Sequence, residues 1–276
     1  MHTRLGFALV TGLLLSHGAF AACKFAASRN VDMEATGIKK LIVEVGAGDL
    51  RINGVQGATR VHGVGEACAN SQERLDAVRL EARRDGDTMF IRAVLNSDDS
   101  KRHRDWMDIS FDVPSTLHTN VDDSSGDLFI TQVAGARVHD SSGDQVIRDI
   151  GGNVEVTDSS GDVEIKNVRG NVTVSDSSGD VVIADVNGNV SIPVDSSGGL
   201  SFSRVHGEVH IASDSSGDIS IADVNKDVRI DHDSAGDIRV SGIAGNFAVE
   251  HDSTGDIEHR NVLGTVRLPR SKDRDD

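Results

Sequence analysis

The chain has 276 residues, of which 37% are hydrophobic and 26% are charged, a balance typical of a folded protein. Acidic residues outnumber basic residues by 44 to 28, and the resulting net charge of −16 argues against nucleic acid or an anionic membrane as a partner. Aromatic residues make up only 3% of the chain, so a lectin that stacks sugars on exposed rings is also disfavoured.

Residues 1–21 have the pattern of a secretory signal peptide. Arg4 gives a positive start, an apolar run extends from Leu5 to Leu15, and Ala19-Phe20-Ala21 has the small-x-small pattern of a cleavage site. We expect the mature chain to begin at Ala22 and to reach the periplasm or the cell surface; a buried N-terminal core helix is the alternative. The apolar run is shorter than the ~20 residues that span a bilayer, so no membrane span is predicted.

Cys23 and Cys68 are the two cysteines of the chain. In an oxidising compartment an even number of cysteines predicts a disulfide, which would tie the new N-terminus to the chain 45 residues further on. The alternative is a lipoprotein, with a lipid attached to Cys23. Small residues precede this cysteine, but Phe20 stands where Leu is usual, and lipidation would leave Cys68 unpaired. The disulfide is therefore favoured.

Residues 22–120 are less regular than the rest of the chain, and we interpret them as an N-terminal β region with a first coil and a cap. The first coil is expected near residues 38–65. A hairpin is expected around Asp85-Gly86-Asp87, followed by an alternating strand from Ile109 to Val113. This region would seal one end of the protein, because an exposed sheet edge recruits other chains.

A repeated pentapeptide dominates residues 121–269. Asp-Ser-Ser-Gly-Asp, complete or with a single change, occurs eight times at spacings of 17 to 19 residues. Its opening aspartates are Asp123, Asp140, Asp158, Asp176, Asp195, Asp214, Asp233 and Asp252. Two short segments separate successive pentapeptides, with Val181 and Ile183 alternating in one and Val190 and Ile192 in the next. This alternation of β-branched residues predicts two strands per repeat.

Each repeat offers about five apolar side chains for burial, too few for a unit that folds alone. We therefore predict an all-β fold, a β-solenoid with two short strands per 18–19-residue coil, preceded by the less regular β capping region. Eight coils at ~4.8 Å each give a rod of about 38 Å. A sandwich or barrel is the alternative, but it gives no reason for the same turn to recur at the same place. Charged residues 270–276 are expected to form a disordered tail.

Stacked repeats would align the aspartates in two columns. The first contains the eight opening aspartates, and the second contains Asp127, Asp144, Asp162, Asp180, Asp218, Asp237 and Asp256. We expect all fifteen carboxylates along one edge, where charges ~4.8 Å apart repel by roughly 0.9 kcal/mol per pair in water. The favoured interpretation is turn chemistry, in which Asp and Ser accept backbone N–H groups and Gly ends the turn. Calcium shared between coils and a polar face for an external ligand are the alternatives.

An enzyme is disfavoured because catalysis needs one asymmetric site, whereas these aspartates repeat almost identically. His139, His232 and His251 recur just before the turn aspartate, which indicates an exposed column rather than a single catalytic base. No catalytic, cofactor-binding or metal-binding residue is assigned. The assigned site residues are Cys23 and Cys68, as a disulfide.

Three motifs accompany the periodicity. They are Ser-Ser-Gly-Asp followed by an apolar-x-apolar segment, Val113-Pro114 with Leu117 before the first full repeat, and Gly48-Asp49-Leu50 after the export signal. With these motifs the chain resembles the putative-adhesin family of bacterial β-strand-repeat proteins, a domain of unknown function, over roughly residues 38–268. The resemblance implies an exported β-solenoid of the bacterial envelope and carries over no site residues.

We therefore expect an exported, non-catalytic β-solenoid that presents a repetitive acidic and Ser-rich surface in adhesion or envelope organisation. Its partner would be an envelope or surface ligand of unidentified chemistry. A structural spacer without a specific ligand is one alternative. The other is a calcium-binding repeat protein or a calcium-dependent polysaccharide-active enzyme, which requires a coil that departs from the repeat and forms a cleft. No cofactor is expected outside the calcium alternatives.

Overall fold

The computed structural model describes residues 23–96 and 105–269. The expected signal peptide over residues 1–21 and the expected tail over residues 270–276 lie outside the described residues. The N-terminal elements are β1 (Phe25–Glu34), β2 (Lys40–Glu44), β3 (Leu50–Val55), β4 (Arg60–Ala69), α1 (Gln72–Ala77), β5 (Arg79–Asp85), β6 (Thr88–Val94) and β7 (Trp106–Pro114). In the described ranges, no helix is long and apolar enough to cross a membrane.

The elements that follow are all strands. They are β8 (His118–Asp122), β9 (Leu128–Thr131), β10 (Gly135–His139), β11 (Gln145–Ile150), β12 (Val154–Thr157), β13 (Val163–Val168), β14 (Val172–Ser175), β15 (Val181–Val186), β16 (Val190–Val194), β17 (Leu200–Val205), β18 (Val209–Ile211), β19 (Ile219–Val224), β20 (Val228–Asp233), β21 (Ile238–Ile243), β22 (Phe247–Asp252), β23 (Ile257–Val262) and β24 (Val266–Arg267).

Strands β1–β24, in the part of the chain that the structure describes, form two sheets of twelve strands each. From β8 onward, successive strands alternate between sheet B, which holds β8 and the other even-numbered strands, and sheet A, which holds β9 and the other odd-numbered strands. Each coil pairs in parallel with the coils before and after it, so that Val163 lies beside Val181 and Val181 beside Leu200. The predicted all-β solenoid with two strands per coil is therefore confirmed.

The core lies between the two sheets and consists of stacked apolar columns. In one coil Val163, Ile165, Val168, Val172 and Val174 are all at most 1% exposed, and each lies beside an equivalent apolar residue of an adjacent coil. Burial of such a side chain contributes roughly 1.5–3 kcal/mol, which becomes available only when coils stack. The inward residues predicted from the alternation are thus the core residues of the rod.

A left-handed bend interrupts the sheet A strands of the regular coils. Asn167 and Asp185 have φ values of 58° and 59°, and the equivalent residues of other coils also have positive φ. Because the bend breaks the alternation, Ile183 and Val186 both point inward although they are three residues apart. Asn and Asp tolerate this conformation better than most residues, since their short polar side chains bond locally.

The N-terminal strands are stacked out of sequence order. Strands β2 and β3 form a coil directly beneath β8 and β9, and β6 and β7 then pair with the opposite edges of β2 and β3. The expected first coil near residues 38–65 is therefore formed by β2 and β3. In the stack, however, it follows the layer formed by β6 and β7, which lies nearer the capped end. Its later part differs from a coil, because β4 turns back and pairs antiparallel with β7 and β1.

Antiparallel strands close this end of both sheets. Strand β1 ends sheet A, and β5 ends sheet B after forming, with β6, the hairpin expected around Gly86. Cys23, just before β1, is joined to Cys68 in β4 with their Cα atoms 5.8 Å apart. The predicted disulfide is confirmed, and it fastens the outermost strand of sheet A to its neighbour.

Candidate functional site

The eight opening aspartates form the buried aspartate column, in which every residue is at most 3% exposed. In the first four members of the column, the carboxyl group accepts hydrogen bonds from the backbone of its own turn. Asp140 Oδ1 accepts the N–H groups of Ser141 at 2.7 Å and Ser142 at 3.3 Å, and Asp176 Oδ1 accepts those of the equivalent serines at 2.6 and 3.2 Å. The hydrogen bonds expected from turn chemistry are present at Asp123, Asp140, Asp158 and Asp176, whereas both carboxyl oxygens of Asp195, Asp214 and Asp233 lack a hydrogen-bond partner.

The position of this column corrects the expectation that all fifteen carboxylates line one edge, because the opening aspartates are buried and the closing ones are not. Val172, Val174 and Asp176 occupy alternate positions of one segment, so the aspartate points into the core like the two valines before it. This inward position could have been predicted from the alternation in the sequence. It was missed because a turn aspartate is usually exposed, and here the inward alternation of the strand continues into the turn.

Burial changes the acidity of these groups. Burial first, and then the charge of a neighbouring column aspartate, raises the pKa of Asp123, Asp158, Asp195 and Asp233 to about 7. Burial also raises the pKa of Asp140, Asp176 and Asp214, where hydrogen bonds oppose the shift. The four aspartates whose pKa is raised to about 7 are every second member of the column.

The closing aspartates form the exposed aspartate column, and they stabilise contacts between coils. The carboxylate of Asp144 accepts the backbone N–H of Asp162 at 3.1 Å, and that of Asp162 accepts the N–H of Asp180 at 2.9 Å. A hydrogen bond from the Asp237 N–H, together with Arg239, lowers the pKa of Asp218. These charge-assisted bonds offset the repulsion between stacked carboxylates.

Two further series of hydrogen bonds were not predicted. At the opposite corner, the N–H of Asn171 donates to Asn153 Oδ1 and the N–H of Asn189 to Asn171 Oδ1, both at 2.9 Å. In the pentapeptides, Ser160 Oγ donates to the carbonyl of Ser141 at 3.1 Å, and the pattern recurs in other coils. The signal for the first series was the Asn three residues after the corner Ile or Val in four coils, at Asn153, Asn171, Asn189 and Asn246.

A polar trough of about 800 Å³ runs along the corner formed by the left-handed bends, across several consecutive coils. The polar side chains that line it include Gln132, Asp149, Asn167, Arg169, Asp185 and Asn187. Asp149 Oδ1 accepts the side-chain amide of Asn167 at 2.8 Å. The guanidinium of Arg204 binds both carboxylate oxygens of Asp185, at 2.6 and 2.9 Å, beside the last coil of the trough.

The histidines of the expected column, His139, His232 and His251, are all exposed. The rings of His232 and His251 stack with centroids 4.7 Å apart. Over residues 23–96 and 105–269, no group of three or more His, Cys, Asp or Glu side chains is arranged to hold a metal ion.

Residues 26–195 match the model of the Toastrack DUF4097 family, which is more than half of the chain. The chain belongs to the Toastrack DUF4097 family. This assignment and the neighbours below confirm the resemblance to a putative-adhesin family of unknown function. No curated protein matches this Toastrack sequence.

Solved structures share the Toastrack fold. A putative adhesin from Parabacteroides merdae is 13% identical with a TM-score of 0.53, and the alignment covers 89% of this chain and 96% of that one. A putative lipid binding protein from Parabacteroides distasonis is 17% identical with a TM-score of 0.51, covering 89% and 97% of the two chains. Neither name describes an enzyme. At these identities the likeness establishes the fold.

Proposed function

We propose that this Toastrack protein is an exported, non-catalytic binding rod of the cell envelope. It is adhesin-like in that it presents a repetitive acidic and Ser-rich surface to a ligand. The observation that carries this proposal is the polar trough, in which the bend position of four successive coils holds a polar side chain: Gln132, Asp149, Asn167 and Asp185. Such a surface suits a ligand that is itself extended and repetitive.

The chemistry of the trough favours an extended glycan. Backbone N–H groups at this corner already bond the neighbouring coil, as with Gly151 to Val133 at 2.9 Å and Asn187 to Val168 at 2.9 Å. A peptide therefore has no free strand edge to extend there. Amide, carboxylate and guanidinium groups, such as Asn167, Asp149 and Arg169, recognise hydroxyl groups, whereas a lipid tail needs an apolar lining.

Export is supported by the disulfide between Cys23 and Cys68, because disulfides persist in oxidising compartments. The same bond uses the sulfur atom that lipidation of Cys23 would require. The non-catalytic part of the proposal is supported by the repetition itself, since the turn side chains make equivalent hydrogen bonds in successive coils. A catalytic site would need one of these coils to differ.

The test is the binding of the mature protein, residues 22–276, to solubilised peptidoglycan fragments, measured by calorimetric titration. The trough variant carries Asn167→Gly and Asn187→Ala. The matched control carries Asp223→Gly and Asn225→Ala, the equivalent positions of a coil outside this trough; residues 167 and 223 both have positive φ, which Gly accepts. Each lost amide should weaken binding about fivefold, so the trough variant should bind roughly 25-fold more weakly and the control unchanged.

Equal loss of affinity in the two variants would contradict a binding site in the trough. Binding to phospholipid vesicles instead of the glycan would replace the proposed ligand with a lipid. Absence of binding to both probes would overturn the proposal of an envelope-glycan rod.

A further inference from the structure

The buried aspartate column contains carboxyl oxygens that lack hydrogen-bond donors. One oxygen of Asp123, Asp158 and Asp176 and both oxygens of Asp195, Asp214 and Asp233 are enclosed by the protein with no hydrogen-bond partner. A buried carboxylate without a partner is costly, and such a group takes up a proton instead. A carboxylic acid is then a donor, and a carboxylate one coil away is its acceptor.

We propose that the buried aspartate column is a proton-binding site, in which alternate carboxyl groups stay protonated at neutral pH and donate a hydrogen bond to the carboxylate of a neighbouring coil. Asp195 and Asp214 are such a pair. They lie side by side in adjacent coils, so that one carboxyl group can donate to the other once it is protonated. This interaction raises the pKa of Asp195 and opposes the rise in that of Asp214. Two aspartates that share one proton are a known solution for carboxyl groups in close contact.

Gln145 fixes which members of the column are ionised. Leu128 and Val163 occupy the equivalent position in the adjacent coils, but here a buried amide donates from Nε2 to Asp140 Oδ2 at 3.4 Å. An amide donor favours the carboxylate form of Asp140. Asp123 and Asp158, in the coils on either side, are then the protonated partners, and the alternation continues through Asp195 and Asp233.

The charged neighbours of the column agree with this assignment. Asp122 and the column aspartate Asp140 act on Asp123, His139 acts on Asp140, and Asp162 acts on Asp176. The other groups that shift the pKa values of Asp158, Asp195, Asp214 and Asp233 are members of the column and turn N–H groups. Apart from His139, the charged groups that act on the column are acidic, so protons are its source of neutralisation.

Proton binding has a defined effect on stability. The pKa values of Asp123, Asp158, Asp195 and Asp233 are raised from 3.8 to about 7, so the native protein binds more protons than the unfolded chain between these values. At pH 6 the difference is about four protons. The stabilisation is complete below pH ~4 and is lost as the pH rises through about 7. The buried column therefore makes the rod more stable in mildly acidic surroundings than above pH 7.

The buried aspartate column is better suited to binding protons than to binding calcium. Calcium takes six to eight oxygen ligands that converge on one point. The column supplies one aspartate per coil, and Asp140 and Asp176 each commit one oxygen to backbone N–H groups. A proton needs only one donor and one acceptor oxygen.

Infrared spectroscopy in heavy water tests the proposal directly, because the C=O stretch of a carboxylic acid is separate from the carboxylate bands. The folded mature protein at neutral pH should show a carboxylic-acid band equivalent to at least two groups. Asp158→Asn, Asp195→Asn and Asp233→Asn together should remove most of the band, since an amide replaces each protonated carboxyl as a permanent donor. Asp162→Asn, Asp180→Asn and Asp237→Asn, in the exposed column, should leave it unchanged.

A folded wild-type protein without the band at neutral pH would overturn the proposal, even if the buried variant fails to fold. A band that survives in a folded buried variant would also overturn it. These results are independent of glycan binding, so the proposed function and the proton-binding site fail separately.

Discussion

At the scale of single residues, the pentapeptide glycine is required by the stacking of coils. Gly179 has a φ of +138°, and a Cβ atom there would lie 1.9 Å from the carbonyl oxygen of Gly161 in the preceding coil. Equivalent contacts recur at Gly161 and Gly198. Successive coils therefore approach each other at these turns more closely than any side chain permits.

We predict that Gly179→Ala lowers the free energy of unfolding by on the order of 4 kcal/mol, because alanine disfavours this backbone conformation and its Cβ atom would collide with the preceding coil. The matched control is Gly57→Ala. Gly57 also has a positive φ, +75°, but a Cβ atom there would meet nothing within 4 Å. The control should cost about 1 kcal/mol. Urea unfolding of both variants measures the difference, and equal costs would show that stacking does not select glycine.

At the scale of strands and turns, the sequence predicted what depends on local alternation. The inward positions of Val181 and Ile183 follow from period two, and the turns follow from Asp, Ser and Gly. The bend at Asp185 was not predicted, because a left-handed residue inside a strand has no strong local signature. To predict that the side chain of Asp176 points inward, the alternation has to be continued past the end of the strand.

The disulfide belongs to this scale because it joins two strands. Strand β1 is the outermost strand of sheet A and pairs with β4, and the bond between Cys23 and Cys68 fastens the start of β1. We predict that Cys23→Ala with Cys68→Ala lowers the free energy of unfolding by roughly 2–4 kcal/mol. Without the bond, the unfolded chain has more conformational entropy and is therefore more stable. Thermal unfolding with and without reductant measures this. A wild-type protein whose melting temperature is insensitive to reductant would contradict a stabilising role.

At the scale of the whole molecule, the solenoid was predictable and the order of its first coils was not. Identical turns at 17–19-residue spacing have one simple arrangement, a stack. The placement of β6 and β7 beneath β2 and β3 depends on pairing between distant segments, and no local pattern in residues 88–114 specifies it. The polar trough was likewise not visible, because it forms only where several bends stack.

The two aspartate columns also explain how so acidic a rod stays folded. Between residues 121 and 269 there are 26 acidic and 10 basic residues. The exposed aspartates are held by N–H groups of the following coil, and the buried aspartates are neutralised in part by protons under our proposal. On this account, hydrogen bonds between coils and protons on the buried column together offset the repulsion between the stacked carboxylates.

The most direct test of this account is the thermal unfolding of residues 22–276 at pH 5 and pH 8, each with EDTA and with millimolar calcium. The raised pKa values predict a higher melting temperature at pH 5 than at pH 8, and hydrogen-bonded turns predict no change with calcium at either pH. A higher melting temperature at pH 8, or a saturable rise with calcium, would contradict it, since a metal bound only by the native state stabilises that state.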